Sequence, residues 1–171
     1  MGGSQAGIIG ALSILSRNIK ILSAVSYSDD LTRILGLFSI PICRSINKNS
    51  FIQRLGESDL LLSIHGRDIV KPNLLKLPKF GAINVHPYLY KYKGKDPVER
   101  ALKDRNFKAS VGVHFMEEEI DQGKVIIEEF VDVSGAKSID EVYNKLYPYY
   151  CIAILKAFDI ILDKKLLNEK S

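Results

Sequence analysis

Asn84 and His86 stand two apart in the run Ile83-Asn84-Val85-His86-Pro87. A strand sends residues two apart to the same face. The amide donates hydrogen bonds; the imidazole donates, accepts or carries charge near neutral pH. Side by side they would stabilise negative charge on the oxygen of a tetrahedral carbon, where one such donor is worth about 3–4 kcal/mol. The same two residues would equally serve as a strand-end cap and a partly buried ring. A second candidate is Asp121, in Glu117-Glu118-Glu119-Ile120-Asp121-Gln122-Gly123. Three neighbouring glutamates are expected to raise its carboxyl pKa, so that it shares a proton with a histidine. A solvated acidic hairpin is the plainer alternative. Gly123 is expected to permit a tight turn through positive φ. Asn, His and Asp around one crevice would serve acyl transfer.

These side chains meet only if the elements carrying them are neighbours. Residues 80–86 read as a short strand stopped by Pro87, with Asn84 and His86 at its carboxyl end. Residues 59–65 form a near-continuous apolar run, as a central parallel strand does when both faces are covered. Strands are also expected at 19–26, 40–43, 109–116 and 124–131. Helices are expected at 5–16, from Asp29 and Asp30 to Leu37, at Phe51–Leu55, Pro72–Leu77, Asp96–Asp104 and from Ser138 to about Leu162. Asp96 should cap its helix, Ser138 and Glu141 supply a capping box, and Pro148 should kink or break the last helix. Residues 88–96 form a Tyr- and Lys-rich loop. This alternation implies an open, mostly parallel α/β sheet with helices on both faces. Such sheets place ligands at the carboxyl ends of their strands. A doubly wound sheet normally opens on a strand that leads into a Gly-rich turn. This chain opens on the turn, so the usual first strand is missing or the sheet is one strand short.

The 171 residues fit one domain spanning 1–171. The 24 lysines and arginines against 20 acids give a net charge of +4, too mild and dispersed for a nucleic-acid-binding protein. Cys43 and Cys151 form no metal spacing and suit buried thiols in a reducing cytoplasm. No apolar run is long enough to span a membrane, and Met1-Gly2-Gly3-Ser4-Gln5 shows no signal-peptide pattern.

Several pieces follow one another in order: Ile83–Pro87, the Tyr/Lys loop closing on Gly94, Pro97 on the next helix, Ser110–Met116, and Ile120–Ile126. Together they resemble the folate-dependent formyltransferases, the family of glycinamide ribonucleotide formyltransferase, methionyl-tRNA formyltransferase and the sugar N-formyltransferases. The resemblance is clear over about residues 58–131. It implies a Rossmann-like sheet with Asn84, His86 and Asp121 as the catalytic set. It implies 10-formyltetrahydrofolate as formyl donor, with no metal. The pterin would lie against Gly66, Arg67, Asp68, Ile69 and Val70, beside His65, and against Met116, Glu117, Glu119 and Ile120. Gly2, Gly3 and Ser4 match the turn that meets an acceptor phosphate, and Tyr88 and Tyr92 lie in the loop bordering the acceptor.

The chain departs from the family there: Pro87-Tyr88-Leu89-Tyr90-Lys91-Tyr92 is a residue shorter than the usual loop and lacks its second proline. Leu146-Tyr147-Pro148-Tyr149-Tyr150 carries no acid where the glycinamide ribonucleotide enzymes have one. The tyrosines would stack on a ring or pack the helix on the sheet. The expected partner is a small primary amine, glycinamide ribonucleotide-like (purine biosynthesis) or amino-sugar-like. The chain is too short for the tRNA-binding domain of methionyl-tRNA formyltransferases. The alternatives are a 10-formyltetrahydrofolate hydrolase and a non-catalytic folate-binding module. Whether the protein is a monomer or a homodimer is left open.

Overall fold

The computed structural model describes residues 1–2 and 4–168, with side chains described except those of Ser4 and residues 164–168. In chain order the elements are α1 (Ser4–Ser16), β1 (Ala24–Val25), α2 (Asp29–Leu37), β2 (Ile42–Cys43), α3 (Asn49–Gly56), β3 (Leu61–Ile64), α4 (Pro72–Leu75), β4 (Ala82–Pro87), α5 (Pro97–Lys103), β5 (Lys108–Phe115), β6 (Val125–Asp132) and α6 (Ile139–Asn168). Strands β3-β4-β5-β6 form one sheet, and β1-β2 pair separately. Both β1/β2 and β3/β4 are parallel, whereas β4/β5 and β5/β6 are antiparallel. The open α/β sheet is therefore parallel through its amino-terminal half and closes on an antiparallel pair. One residue bridges the sheets: Gly2 pairs in parallel with Ser26 on one side and with Ile64 on the other.

The alternation along β4 divides the layers. Ile83 and Val85 are buried in the main core with residues of α1, α5 and α6, while Ala82 joins the core built by α3 and α4. Asn84 and His86 share the parity of Ala82. Along α6 the buried series Val142, Leu146, Tyr150, Ala153, Ile154, Ala157 and Ile161 forms one stripe, laid against β5, β6 and α1.

Four expectations need correction. The strand expected over 19–26 is reduced to Ala24–Val25, because only at Gly2 does the chain supply a neighbour on its inner side. Helix α6 runs through Pro148 without a break. Its packing on the sheet offsets the lost hydrogen bond, a defect of about 3 kcal/mol in an exposed helix. Asp96 sits at the start of α5 in the left-handed region with φ of 53° and makes no side-chain cap. Helix α2 is capped by Ser28, which accepts from the Leu31 N–H, and Asp29 and Asp30 occupy its first turn. The capping box at α6 does form: Glu141 N–H donates to Ser138 Oγ and Lys137 N–H to the Glu141 carboxylate. Among the described residues, no helix is long and apolar enough to cross a membrane.

Candidate active site

A cleft of about 640 Å³ opens at the carboxyl ends of β3 and β4, bounded by the segment after β3, the loop before α5 and the turn between β5 and β6. The side chain of Asp121 enters it from that turn, with its backbone in the left-handed region at φ 54°, which Asp tolerates better than most residues. Four polar groups converge on the carboxylate. Gly94 N–H donates to Oδ2 at 2.8 Å, and His86 Nε2 lies 3.1 Å from the same oxygen. Asn84 Nδ2 donates to Oδ1 at 3.3 Å, and His114 Nε2 lies 3.2 Å from it. Asn84, His86 and Asp121, separated in sequence, thus form one cluster.

The electrostatics follow from that convergence. Burial pushes the Asp121 carboxyl up, but the hydrogen bond from His114, the His86 ring and the Gly94 N–H outweigh it and hold the pKa at about 2. The expected rise through Glu117, Glu118 and Glu119 is overturned: the carboxylate is ionised and fixed, and it shares no proton in the resting state. Burial lowers the His86 pKa despite the attraction of Asp121. Its Nε2 faces two acceptors, Asp121 and the Gly94 carbonyl at 3.0 Å, so that nitrogen carries the hydrogen. Its Nδ1 is buried with no hydrogen-bond partner.

Gly123 is required for a reason other than the one expected. It does not adopt positive φ. Instead, a Cβ there would stand 1.9 Å from the Phe115 carbonyl oxygen, so the turn closes only without a side chain. Gly123→Ala is expected to cost about 1–3 kcal/mol by overpacking against rigid backbone. It should also displace Asp121. Urea unfolding measures the first effect, and unchanged stability would show that the turn yields freely.

Of the donor-side residues, His65, Gly66, Arg67, Asp68, Ile69, Val70, Met116, Glu117 and Ile120 line the cleft. Glu119 does not; Glu118 takes that place. Ile69 and Ile120 are 75% and 59% exposed at its rim.

The acceptor side is built differently from expectation. Tyr88 and Tyr92 are buried and off the cleft, their hydroxyls donating to Asn106 O and to the Asp104 carboxylate. The left-handed backbone at Tyr88, φ 54°, turns the loop inward. Gly2 also lies elsewhere, its N–H given to Val25 O and its carbonyl to Tyr27 N–H, which leaves neither for a phosphate. Gly3 lies outside the described residues, and of Ser4 only its place in α1 is described.

Three contributors escaped the sequence reading. His114, opposite Asn84 in the β4/β5 register, orients Asp121. The Gly94 backbone, at φ 81°, anchors both Asp121 and His86. Tyr143 lines the cleft, its ring edge-on to His65 at 5.4 Å and stacked with Tyr147 at 6.1 Å. Tyr147 and Tyr150 stand behind this wall. Tyr150 is fully buried and bonds His65 Nε2 at 2.6 Å.

His65 is pushed down to about 4 by burial and by the His86 ring, from 6.5. Its contribution to stability is therefore full above pH 6.5 and lost as pH falls through 4. Unfolding free energy should fall over that window, and His65→Gln should flatten the fall. An equal slope in the variant would assign the proton uptake elsewhere.

An ionised carboxylate thus sits beside an amide and an imidazole at the carboxyl edge of an α/β sheet. The formyl transferase family matches residues 54–157, and the chain belongs to it. It is similar to the bifunctional polymyxin resistance protein ArnA of Wigglesworthia glossinidia brevipalpis, 27% identical over 96% of this chain and 27% of the relative. It is 30% identical to the methionyl-tRNA formyltransferase of Thermotoga neapolitana over 60% of this chain and 34% of the relative. The chain thus spans about a third or less of the length of both. Among solved structures it resembles the phosphoribosylglycinamide formyltransferase of Anaplasma phagocytophilum, with TM-score 0.79, 21% identity and coverage of 95% and 84% of the two chains. It also resembles a formyltetrahydrofolate deformylase of Pseudomonas syringae pv. tomato, with TM-score 0.74, 18% identity and coverage of 91% and 57%.

Proposed function

We propose that this chain transfers the formyl group of 10-formyltetrahydrofolate to the primary amine of a small acceptor. The observation that carries this reading is the convergence of Asn84, His86, His114 and the Gly94 N–H on one ionised carboxylate inside an open cleft. The donor's flat pterin suits the apolar rim of Ile69 and Ile120, with Val70 and Met116 deeper and Arg67 beside it. Holding donor and amine in one crevice removes much of the entropic cost of meeting.

When the amine attacks the formyl carbon, negative charge grows on the formyl oxygen. Asn84 Nδ2 carries two hydrogens; one is bound by Asp121, and the second, at rest 3.5 Å from His114 Nε2, turns to that oxygen. His86 adds its Nε2–H, which at rest faces Asp121 and the Gly94 carbonyl and must turn from them to the formyl oxygen as charge grows there. Asp121 stays anionic, keeps both donors aimed, and attracts the positive charge that forms on the attacking nitrogen. The amine proton passes through water beside Asp121 to N10 of the donor, and collapse of the tetrahedral carbon breaks its bond to that nitrogen, releasing tetrahydrofolate and the formylated amine.

The exposed edge of the cleft at Tyr143, whose ring stacks with Tyr147, favours an amine borne on a ring, as in an amino sugar, over one held by a phosphate turn. The spent backbone groups of Gly2 point the same way. They also favour a second reading, discharge of formyl to water. The test is tetrahydrofolate release from 10-formyltetrahydrofolate, with and without amines. Release only with amine supports transfer, release without it supports hydrolysis, and binding without release refutes both.

A further inference from the structure

Gly94 gives its N–H to Asp121 Oδ2, and its carbonyl faces His86 Nε2. That N–H belongs to the peptide unit shared with Lys93. The unit is planar and trans, so the Lys93 carbonyl and the Gly94 N–H point in opposite directions. Whatever fixes the carbonyl fixes the N–H. Glycine takes either sign of φ at little cost, and Gly94 stands at 81°. The plane beside it therefore turns over easily unless both of its ends are held. Turned over, it would set the Lys93 carbonyl against the Asp121 carboxylate and send the N–H away from it.

Asp121 holds one end. The other is held from α5, where Arg100 Nη2 donates to Lys93 O at 2.6 Å and to Tyr92 O at 3.0 Å. Arg100 is itself set in place. Its guanidinium lies over the Tyr92 ring, 5.7 Å from the centroid. The Tyr92 hydroxyl in turn donates to the Asp104 carboxylate at 2.8 Å, and Asp104 N–H closes the helical turn on Arg100 O at 3.0 Å. This placement leaves Arg100 Nε buried without a hydrogen-bond partner. A methionine would fill the same space without that cost. What the guanidinium adds is its hold on the two carbonyls.

We propose that Arg100 is a positioning residue of this site: it locks the Lys93–Gly94 peptide plane and so aims the Gly94 N–H at Asp121. Arg100 does not line the cleft and acts only through that peptide. Its charge on the Lys93 carbonyl also polarises the amide, which makes the Gly94 N–H a stronger donor to the carboxylate. Asp121 and His86, both tied to Gly94, keep their places through this one plane. The consequence for the rate rests on the formyl-transfer reading; the hold on the peptide plane does not. A single nitrogen, Nη2, meets both carbonyls. A lysine ammonium, with three hydrogens, can do the same from a somewhat shorter stem.

The test follows the Gly94 amide by NMR in the full chain and, beside it, tetrahydrofolate release from 10-formyltetrahydrofolate with glucosamine as the probe amine. In Arg100→Met the Gly94 amide proton should move upfield and exchange about tenfold faster or more, while the amides of β5 and α6 stay in place. Turnover should fall by about 10–100-fold, as for a small misplacement of a reacting geometry. KM for the donor should stay within about threefold. Arg100→Lys should recover part of both losses, and Lys103→Met, at an exposed site on the same helix, should change neither. In the unaltered chain the Arg100 Nη2 protons should be resolved and slow to exchange, a reading that holds even if Arg100→Met fails to fold. Four results overturn the proposal: freely rotating Arg100 Nη2 protons, a Gly94 signal that stays in place in Arg100→Met, a signal that moves while turnover holds within about twofold, or equal losses in the methionine and lysine variants. A parent that releases no tetrahydrofolate with the amine or with water speaks against the reaction, and the amide signals then decide the role of Arg100.

Discussion

Asp121→Asn is expected to lower the formyl-transfer rate by about 10²–10⁴-fold, the range typical for losing a positioned proton-handling group. Asparagine has nearly the shape of aspartate but only one acceptor oxygen. The other position becomes an NH₂ that faces either the Gly94 N–H and His86 Nε2–H or the Asn84 NH₂ beside the His114 ring. Either orientation sets donors against donors, so the two groups that meet the formyl oxygen lose their aim along with the charge. Stability should respond as well. The folded carboxyl sits at about 2 against an ordinary 3.8, so it stabilises the native state fully above pH 3.8 and loses that effect as pH falls toward 2. The difference is on the order of 2 kcal/mol. Steady-state kinetics on variants matched by circular dichroism check the first effect and acid unfolding the second. A variant within tenfold of the parent rate would remove Asp121 from the mechanism.

What could be read from the sequence is what depends on near neighbours along the chain. Asn84 and His86 share a face by strand parity alone, and Leu61–Ile64 is marked by its apolar run. The stripe of α6 and its cap are likewise local patterns. What escaped depends on pairing and on unusual backbone. His114 enters the site only through the antiparallel register Asn84↔His114, and no run of residues specifies that register. The left-handed backbone at Tyr88 and Asp121 reverses where each side chain points, inward to the core for one and into the cleft for the other. Local charge misled at Asp121, because three adjacent glutamates lie on a solvated turn while an amide, a backbone N–H and two imidazoles arrive from other strands and loops. Propensity misled at Pro148, where packing on β5 and β6 keeps the helix intact.

Asn84→Asp should be the most damaging change at this position, below Asn84→Ala. Alanine removes one oxyanion donor, a loss of about 10²–10³ in kcat. It leaves Asp121 with the Gly94 N–H and the two imidazoles. Aspartate instead sets a second carboxylate about 3 Å from the Asp121 oxygen, where two like charges cannot both ionise cheaply. Either the new group takes a proton, or the Asp121 environment opens to water. It also presents an acceptor to an oxygen that is becoming negative. The rate should therefore fall by a further tenfold or more below alanine at pH 7, and the gap should narrow as pH is lowered and the added carboxyl protonates. If the two variants match in kcat at every pH, Asn84 acts by its volume and not by its hydrogens, and the oxyanion role passes to His86 alone.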